Sequence, residues 1–126
     1  MFGFFKGSSQ QGATAMNFRQ IDDGIAVAGQ ITEADLGAIA AAGFKTVICN
    51  RPDNEAGAVP HAAIARAAQA AGLEFRFIPV AGAQMTPEAV ADMAAALADL
   101  PRPMLAYCRS GARSANLYMA ASRQRG

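Results

Sequence analysis

A chain of 126 residues, 52% of them hydrophobic, is long enough for one domain with a real core. Its net charge of +1, with no basic stripe and no aromatic-interleaved basic patch, excludes a global electrostatic pull towards nucleic acid or a membrane surface. The two cysteines, Cys49 and Cys108, lie far apart, and no secretory signal is read. A reduced, cytoplasmic setting is therefore expected rather than a disulfide framework. No apolar run reaches the length of a membrane span.

Residues 1–15 combine a short aromatic stretch with a Gly/Ser/Gln/Ala segment and read as a flexible N-terminal tail. A domain is expected over residues 16–126. Phe18-Arg19-Gln20-Ile21 and Ile25-Ala26-Val27-Ala28 are short strands around the Asp23-Gly24 step, which predicts a hairpin. Thr32 and Asp35 have capping-box spacing before a helix that carries Leu36, Ile39 and Ala40 on one face and stops at Gly43. Thr46-Val47-Ile48-Cys49 is the pattern of a central strand covered on both faces. A polar loop over residues 50–57 follows. A helix then opens at Pro60 and stops at Gly72. Phe75 to Val80 reads as a strand, residues 81–85 as a loop, and Thr86-Pro87-Glu88 as a helix start with cap, proline and acid in order. That helix ends near Pro101, and Pro103-Met104-Leu105-Ala106-Tyr107 is the next short buried strand.

Strands thus alternate with helices, which predicts an α/β domain with a mostly parallel central sheet flanked by helices. Ligands of such sheets sit beyond the carboxyl ends of the strands. Loops 50–57, 81–85 and 108–113 meet there. The third of them carries the densest chemistry. Cys108 ends a strand, Arg109, Ser110, Gly111, Ala112, Arg113 and Ser114 follow, and a helix over residues 115–121 comes next. Glycine allows the tight bend, and the N–H groups of the turn and helix start form a nest that binds anions and lowers a thiol's pKa. Cys108 is therefore the candidate nucleophile and Arg113 its charged partner. Arg109, Ser110, Gly111, Ala112 and Ser114 make up the anion-binding loop. A core cysteine would have no need of two arginines within five positions.

The segment from Cys108 to Ser114 is similar to the active-site loop of rhodanese-type sulfurtransferases, while the order of elements resembles the dual-specificity, tyrosine-phosphatase-like fold. Both features meet in the beta-lactamase-hydrolase-like protein, phosphatase-like domain family. The resemblance runs from about Met16 to the C-terminus. It rests on Val27-Ala28-Gly29-Gln30-Ile31, Gly43-Phe44-Lys45-Thr46-Val47-Ile48, Arg51-Pro52-Asp53 with Glu55, Ile78-Pro79-Val80 and the Cys108 loop. It implies members that stand alone or are joined to persulfide dioxygenase domains, so that such a dioxygenase is an expected partner.

Two departures separate two chemistries. Tyrosine phosphatases place five residues between cysteine and arginine; here four lie between Cys108 and Arg113. A ring shorter by one residue suits a terminal sulfur better than the three equatorial oxygens of a phosphoryl group. Phosphatases of this fold resemble one another in using an Asp to protonate the leaving alcohol, whereas residues 79–87 contain no Asp or Glu. Asp92, within the following helix, reads as a solvated residue. The expected function is accordingly sulfur transfer. Cys108 takes sulfane sulfur as a persulfide from a small anionic donor, thiosulfate or a low-molecular-weight persulfide, and passes it to a thiol acceptor. The alternative is a cysteine-dependent phosphatase of the tyrosine or dual-specificity type, with Asp53, Glu55 or His61 supplying the proton. A second alternative is a non-catalytic persulfide or anion sensor. Arg51, Asp53 and Glu55 are candidate site-lining residues, with pairing that holds the loop as their other reading. His61 reads as an exposed or capping residue. Cys49 reads as a buried strand-end thiol, with resolution of a persulfide as its other use. No metal or organic cofactor is implied.

Overall fold

The computed structural model describes residues 17–82 and 84–125. The tail expected over residues 1–15 lies outside them, as do Met16 and Ala83. Five strands form one sheet in the order β1-β2-β5-β3-β4. They are β1 Phe18–Asp22, β2 Ile25–Ala28, β3 Thr46–Cys49, β4 Glu74–Phe77 and β5 Met104–Tyr107. β1 is antiparallel to β2, as the Asp-Gly turn requires, and every other pairing is parallel. The helices are α1 Leu36–Ala41, α2 His61–Ala70, α3 Pro87–Asp99 and α4 Ala112–Arg125.

Period-two alternation along the central strands sorts their side chains onto two faces. Ile25, Ile48, Met104 and Ala106 meet Met93 and Leu97 of α3 and Leu117 of α4. Ala26, Val47, Cys49, Leu105 and Tyr107 meet Leu36 and Ile39 of α1 and Ile64 and Ala68 of α2. Helices therefore cover both faces, and β2, β3 and β5 are buried along their whole length. That is why these strands read as continuous apolar runs rather than alternating ones. Each wholly buried Leu or Ile side chain among them contributes about 2 kcal/mol.

Three elements differ from expectation. The first turn after Thr32 is a 3₁₀ turn over Glu33–Asp35. Asp35 still accepts the Thr32 N–H at 2.8 Å, so the capping box forms with Asp in place of Glu. β4 stops at Phe77 instead of Val80. Pro79 has no N–H to give to a ladder, and the chain continues as single ties from Ile78 N to Cys49 O and from Val80 N to Asn50 O, both 2.9 Å. Finally, α4 begins at Ala112 rather than Ala115 and runs to Arg125. Arg113 and Ser114 are therefore first-turn helical residues, with their N–H groups free of intrahelical partners.

Candidate active site

Ala28 of β2 and Cys49 of β3 are both register partners of Tyr107, the last residue of β5. The loops after these three strands consequently leave the sheet at one level, with β5 in the middle. Cys108 is the first residue beyond β5, not the last within it, and its N–H is tied to Ala28 O at 3.2 Å. The chain then turns through Gly111 at φ +96°, a conformation that L side chains rarely adopt. The same glycine donates its N–H to Cys108 Sγ at 3.1 Å. Gly29 backs this turn: a Cβ there would stand 2.9 Å from Arg109 O, so only glycine lets the β2 loop lie against the Cys108 loop.

Cys108 is wholly buried. Burial alone would raise its pKa, but the Ser114 and Ser110 N–H groups, the Ser114 hydroxyl and the Gly111 N–H outweigh it and hold the thiol below its ordinary value. Three of these four donors are backbone groups at a turn and helix start, where the helix dipole adds in the same sense. The site thus favours the thiolate against the effect of burial.

Arg113 reaches the same sulfur by an arrangement its five N–H groups define. Nη1 donates to Glu55 Oε2 and to Val80 O, both at 2.7 Å, and Nη2 donates to Glu55 Oε1 at 2.9 Å. Nη1 has then used both its protons. What remains is the Nε–H and the second Nη2–H, which lie side by side along the other edge of the guanidinium. Arg113 also lies close enough to Cys108 for the two side chains to interact, and the remaining edge is the part of the guanidinium that Glu55 and Val80 leave free. A fork of two parallel donors beside the nucleophile is the geometry that holds two oxygens of an oxyanion. Arg113→Lys keeps the charge but has no fork. We expect it to lose most of the activity of the native chain, on the order of 100-fold in kcat/KM, and to recover little over Arg113→Ala. Steady-state assay of the two variants side by side checks this, and near-native activity of Arg113→Lys would show that the fork is not used.

Glu55 is the hub of the loop over residues 50–57. Besides Arg113 it accepts Arg51 Nε at 3.1 Å. The bond from Arg113 holds its carboxyl below the usual range, against the opposing effect of burial, and Arg51 adds to the lowering. Arg51 itself is buried, giving Nη1 to Gln30 Oε1 at 3.0 Å and Nη2 to Ala56 O at 2.7 Å. Asp53 faces elsewhere again. Its carboxylate takes the His61 N–H and pairs with His61 Nδ1, both at 2.9 Å, at the start of α2, while the imidazole stacks on Phe77. Of the three candidate lining residues, then, only Glu55 touches a residue that contacts the nucleophile. Arg51 supports Glu55 from behind, and Asp53 caps a helix. With Glu55 bound to two guanidiniums and Asp53 to His61, neither carboxylate is placed to protonate a leaving group, and His61 is the first residue of α2, held by Asp53 through its N–H and its ring. Arg109 is exposed and takes no part in the bonds that hold the sulfur. Ala112 contributes its N–H to Ser110 Oγ at 3.4 Å.

Cys49 lies on the α1 and α2 side of the sheet, gives its S–H to Arg51 O at 3.4 Å, and is held above the ordinary thiol value by burial. That is the behaviour of a buried strand-end thiol. The important residue beside it is Asn50, the first residue of the loop expected over residues 50–57. It is wholly buried and receives the Ser114 hydroxyl at 2.7 Å. Its signal was available: a lone amide directly after a β-branched strand end must be either exposed or fully bonded. Among the described residues, no group of three or more His, Cys, Asp or Glu could hold a metal ion, and no helix is long and apolar enough to cross a membrane.

A five-stranded α/β domain with a buried cysteine at a backbone turn, and an arginine from the following helix turn, defines a phosphatase-like domain with the parts of a cysteine-dependent enzyme. Residues 17–124 match the family described as Beta-lactamase hydrolase-like protein, phosphatase-like domain, and the chain belongs to that family. It is 35% identical over 101 residues to the Beta-lactamase hydrolase-like protein of Agrobacterium fabrum. The match covers 79% of this chain but 23% of that protein, so the chain spans less than a quarter of the relative's length. Among solved structures, a putative phosphatase from Neisseria meningitidis is similar at 34% identity and a TM-score of 0.69, covering 77% of this chain and 70% of that one. A putative phosphatase from Shewanella putrefaciens shares the fold, with a TM-score of 0.79 at 20% identity over 92% of this chain and 77% of that one. These likenesses support the phosphatase reading, given above as the alternative, better than they support sulfur transfer.

Proposed function

We propose that the chain is a cysteine-dependent hydrolase of the phosphatase type that carries a phosphoryl group on Cys108. The observation that carries this reading is a sulfur that accepts the Gly111 N–H at 3.1 Å and whose pKa is lowered by the Ser114 and Ser110 N–H groups and the Ser114 hydroxyl, with the Arg113 side chain close by. Sγ attacks phosphorus, an S–P bond forms and the bond to the leaving group breaks. Water then cleaves the S–P bond, and the sulfur departs as a thiolate that the same donors stabilise. Charge on the transferred group rests on the N–H groups of the loop and on the Arg113 fork. Residues 79–87 have no acid, and Glu55 is committed to two arginines, so this site favours a substrate whose leaving group departs without a proton.

Sulfur transfer is the second reading, favoured by the four-residue spacing between Cys108 and Arg113. In it the sulfur of thiosulfate or a small persulfide moves onto Cys108 and then to a thiol acceptor or to a persulfide dioxygenase. Intact-mass spectrometry separates the two. After incubation with an aryl phosphate, whose leaving group needs no acid, the phosphatase reading expects release of the phenol and a trapped phosphoryl adduct on Cys108. Thiosulfate should leave no adduct. A single added sulfur atom on Cys108 after thiosulfate, with no aryl-phosphate turnover, would overturn the proposal in favour of the second reading.

A further inference from the structure

Asn50 follows the last residue of β3, and every polar atom it has is bonded. Its N–H goes to Tyr107 O at 2.8 Å and its carbonyl receives Val80 N–H at 2.9 Å. Its Nδ2 goes to Ile78 O at 2.8 Å, and its Oδ1 receives the Ser114 hydroxyl at 2.7 Å. The bond from Nδ2 fixes which end of the amide faces Ser114: the end that can only accept.

The Ser114 hydroxyl also faces Cys108 Sγ. A hydroxyl has one proton, and here two acceptors compete for it inside the protein, since Ser114 and Asn50 are both 0% exposed. A thiolate is the stronger acceptor because it is charged, so with Cys108 ionised the proton points to the sulfur. Once the sulfur carries a transferred group it is neutral and a poor acceptor, and Oδ1 wins. In neither state is a buried donor left unpaired, which would otherwise oppose the change.

We propose that Asn50 is a positioning residue for the chemistry at Cys108. Its Oδ1 takes up the Ser114 proton whenever the sulfur is bonded to a transferred group, and releases it when the sulfur leaves as a thiolate. Asn50 itself forms and breaks no covalent bond. The inference rests on Cys108 as the nucleophile of the proposed function and applies whichever group is transferred.

Removing Oδ1 leaves the hydroxyl with the sulfur as its partner. The thiolate already holds that proton, so the loss falls on the state with neutral sulfur; ionisation becomes easier and the thiolate a weaker nucleophile. A carboxylate at this position has the opposite effect, drawing the hydroxyl away. Ultraviolet thiolate absorbance reads this directly when the full chain carrying Cys49→Ser is titrated with acid and base. Asn50→Ala should move the Cys108 midpoint down, giving about fivefold more thiolate relative to thiol at a fixed pH, the size of one net hydrogen bond. In a Ser114→Ala background the same substitution should move nothing. Asn50→Asp is the second variant, and it decides the matter if Asn50→Ala does not fold. It should move the midpoint up, and further with Ser114 present than with Ser114→Ala, because its added charge acts in both backgrounds and only the hydroxyl differs. Equal shifts in both backgrounds, or no shift in the background that keeps Ser114, would overturn the proposal. The titration needs no substrate, so a chain that turns over no aryl phosphate refutes the proposed function without bearing on Asn50.

Discussion

Cys108→Ser should fold, bind small oxyanions and turn over nothing measurable, with a loss on the order of 10⁵-fold, as deletion of a nucleophile gives in other covalent enzymes. The cradle explains both halves of this result. Its N–H groups belong to the backbone and to a helix turn, so they survive the substitution and still accept an anion. What they cannot do is ionise a serine hydroxyl, whose proton is held far more tightly than a thiol's. Cys49→Ser should keep activity, because Cys49 packs among the core residues of α1 and α2, gives its S–H to Arg51 O, and is held above the ordinary thiol value by burial. Aryl-phosphate assay of the two variants checks this, and residual turnover in Cys108→Ser above that of free solution would remove Cys108 from the mechanism. The same substitution has a thermodynamic signature. The folded-state pKa of Cys108 lies below its ordinary value of 9.0. Ionisation therefore contributes stability that is complete above the unfolded value and disappears as pH falls through the folded value. Wild type should gain stability over Cys108→Ser as pH rises through that window, and denaturant melts at a series of pH values measure it.

How much of this could be read from the sequence depends on how local the cause is. Cys108, Gly111, Arg113 and Ser114 are consecutive enough for a strand–turn–helix pattern to point to them, and in the fold the Gly111 N–H lies on Cys108 Sγ. β2, β3 and β5 were legible because a strand covered on both faces must be apolar throughout. The end of β4 was less so: Phe77, Ile78 and Val80 all look like strand residues, and only Pro79 signals the stop. The start of α4 was set three residues late, because Arg113 and Ser114 were read as loop chemistry when they are also the first turn of a helix. The least legible features are the long-range ones. Nothing near Arg51, Asp53 and Glu55 in the chain says which carboxylate turns to Arg113 and which to His61. That is decided by β3 and β5 lying side by side, with their loops leaving at the same level. Asn50 was overlooked for the same reason, since its two side-chain partners are 28 and 64 residues away.

Glu55→Gln should damage the protein more than any other surface-accessible change at this site, and the reason is that one carboxylate serves two cations. Oε1 accepts from Arg51 and Arg113, and Oε2 accepts from Arg113 alone. The amide keeps the shape but has no charge, and its NH₂ end presents protons to guanidinium protons. Arg51 is then a buried cation that keeps only neutral acceptors, the amide oxygen, Gln30 and the Ala56 carbonyl, and has lost its counter-charge. A destabilisation on the order of 2 kcal/mol follows, below the full cost of breaking a buried pair because Glu55 keeps some solvent contact. For a domain of this size it corresponds to a fall in Tm on the order of 8 °C. Arg113, freed from its clamp, no longer presents its fork to the sulfur in one orientation, and kcat/KM should fall on the order of 100-fold. Asp53→Asn is the control. It loosens the start of α2 and the His61 pairing but leaves the Arg113 fork in place, so kcat/KM should stay close to native. The pH dependence follows from sign: the Glu55 carboxyl is held below its ordinary value of 4.5 in the folded state. Its contribution is complete above that value and is lost as pH falls through the folded one, so the stabilities of wild type and Glu55→Gln should converge in acid and separate towards neutrality. Thermal melts from acid to neutral pH, read with aryl-phosphate kinetics, measure both effects. A Glu55→Gln protein with native kcat/KM would mean that Arg113 holds its orientation through Val80 O alone, and the carboxylate would then be a structural tie with no part in the site.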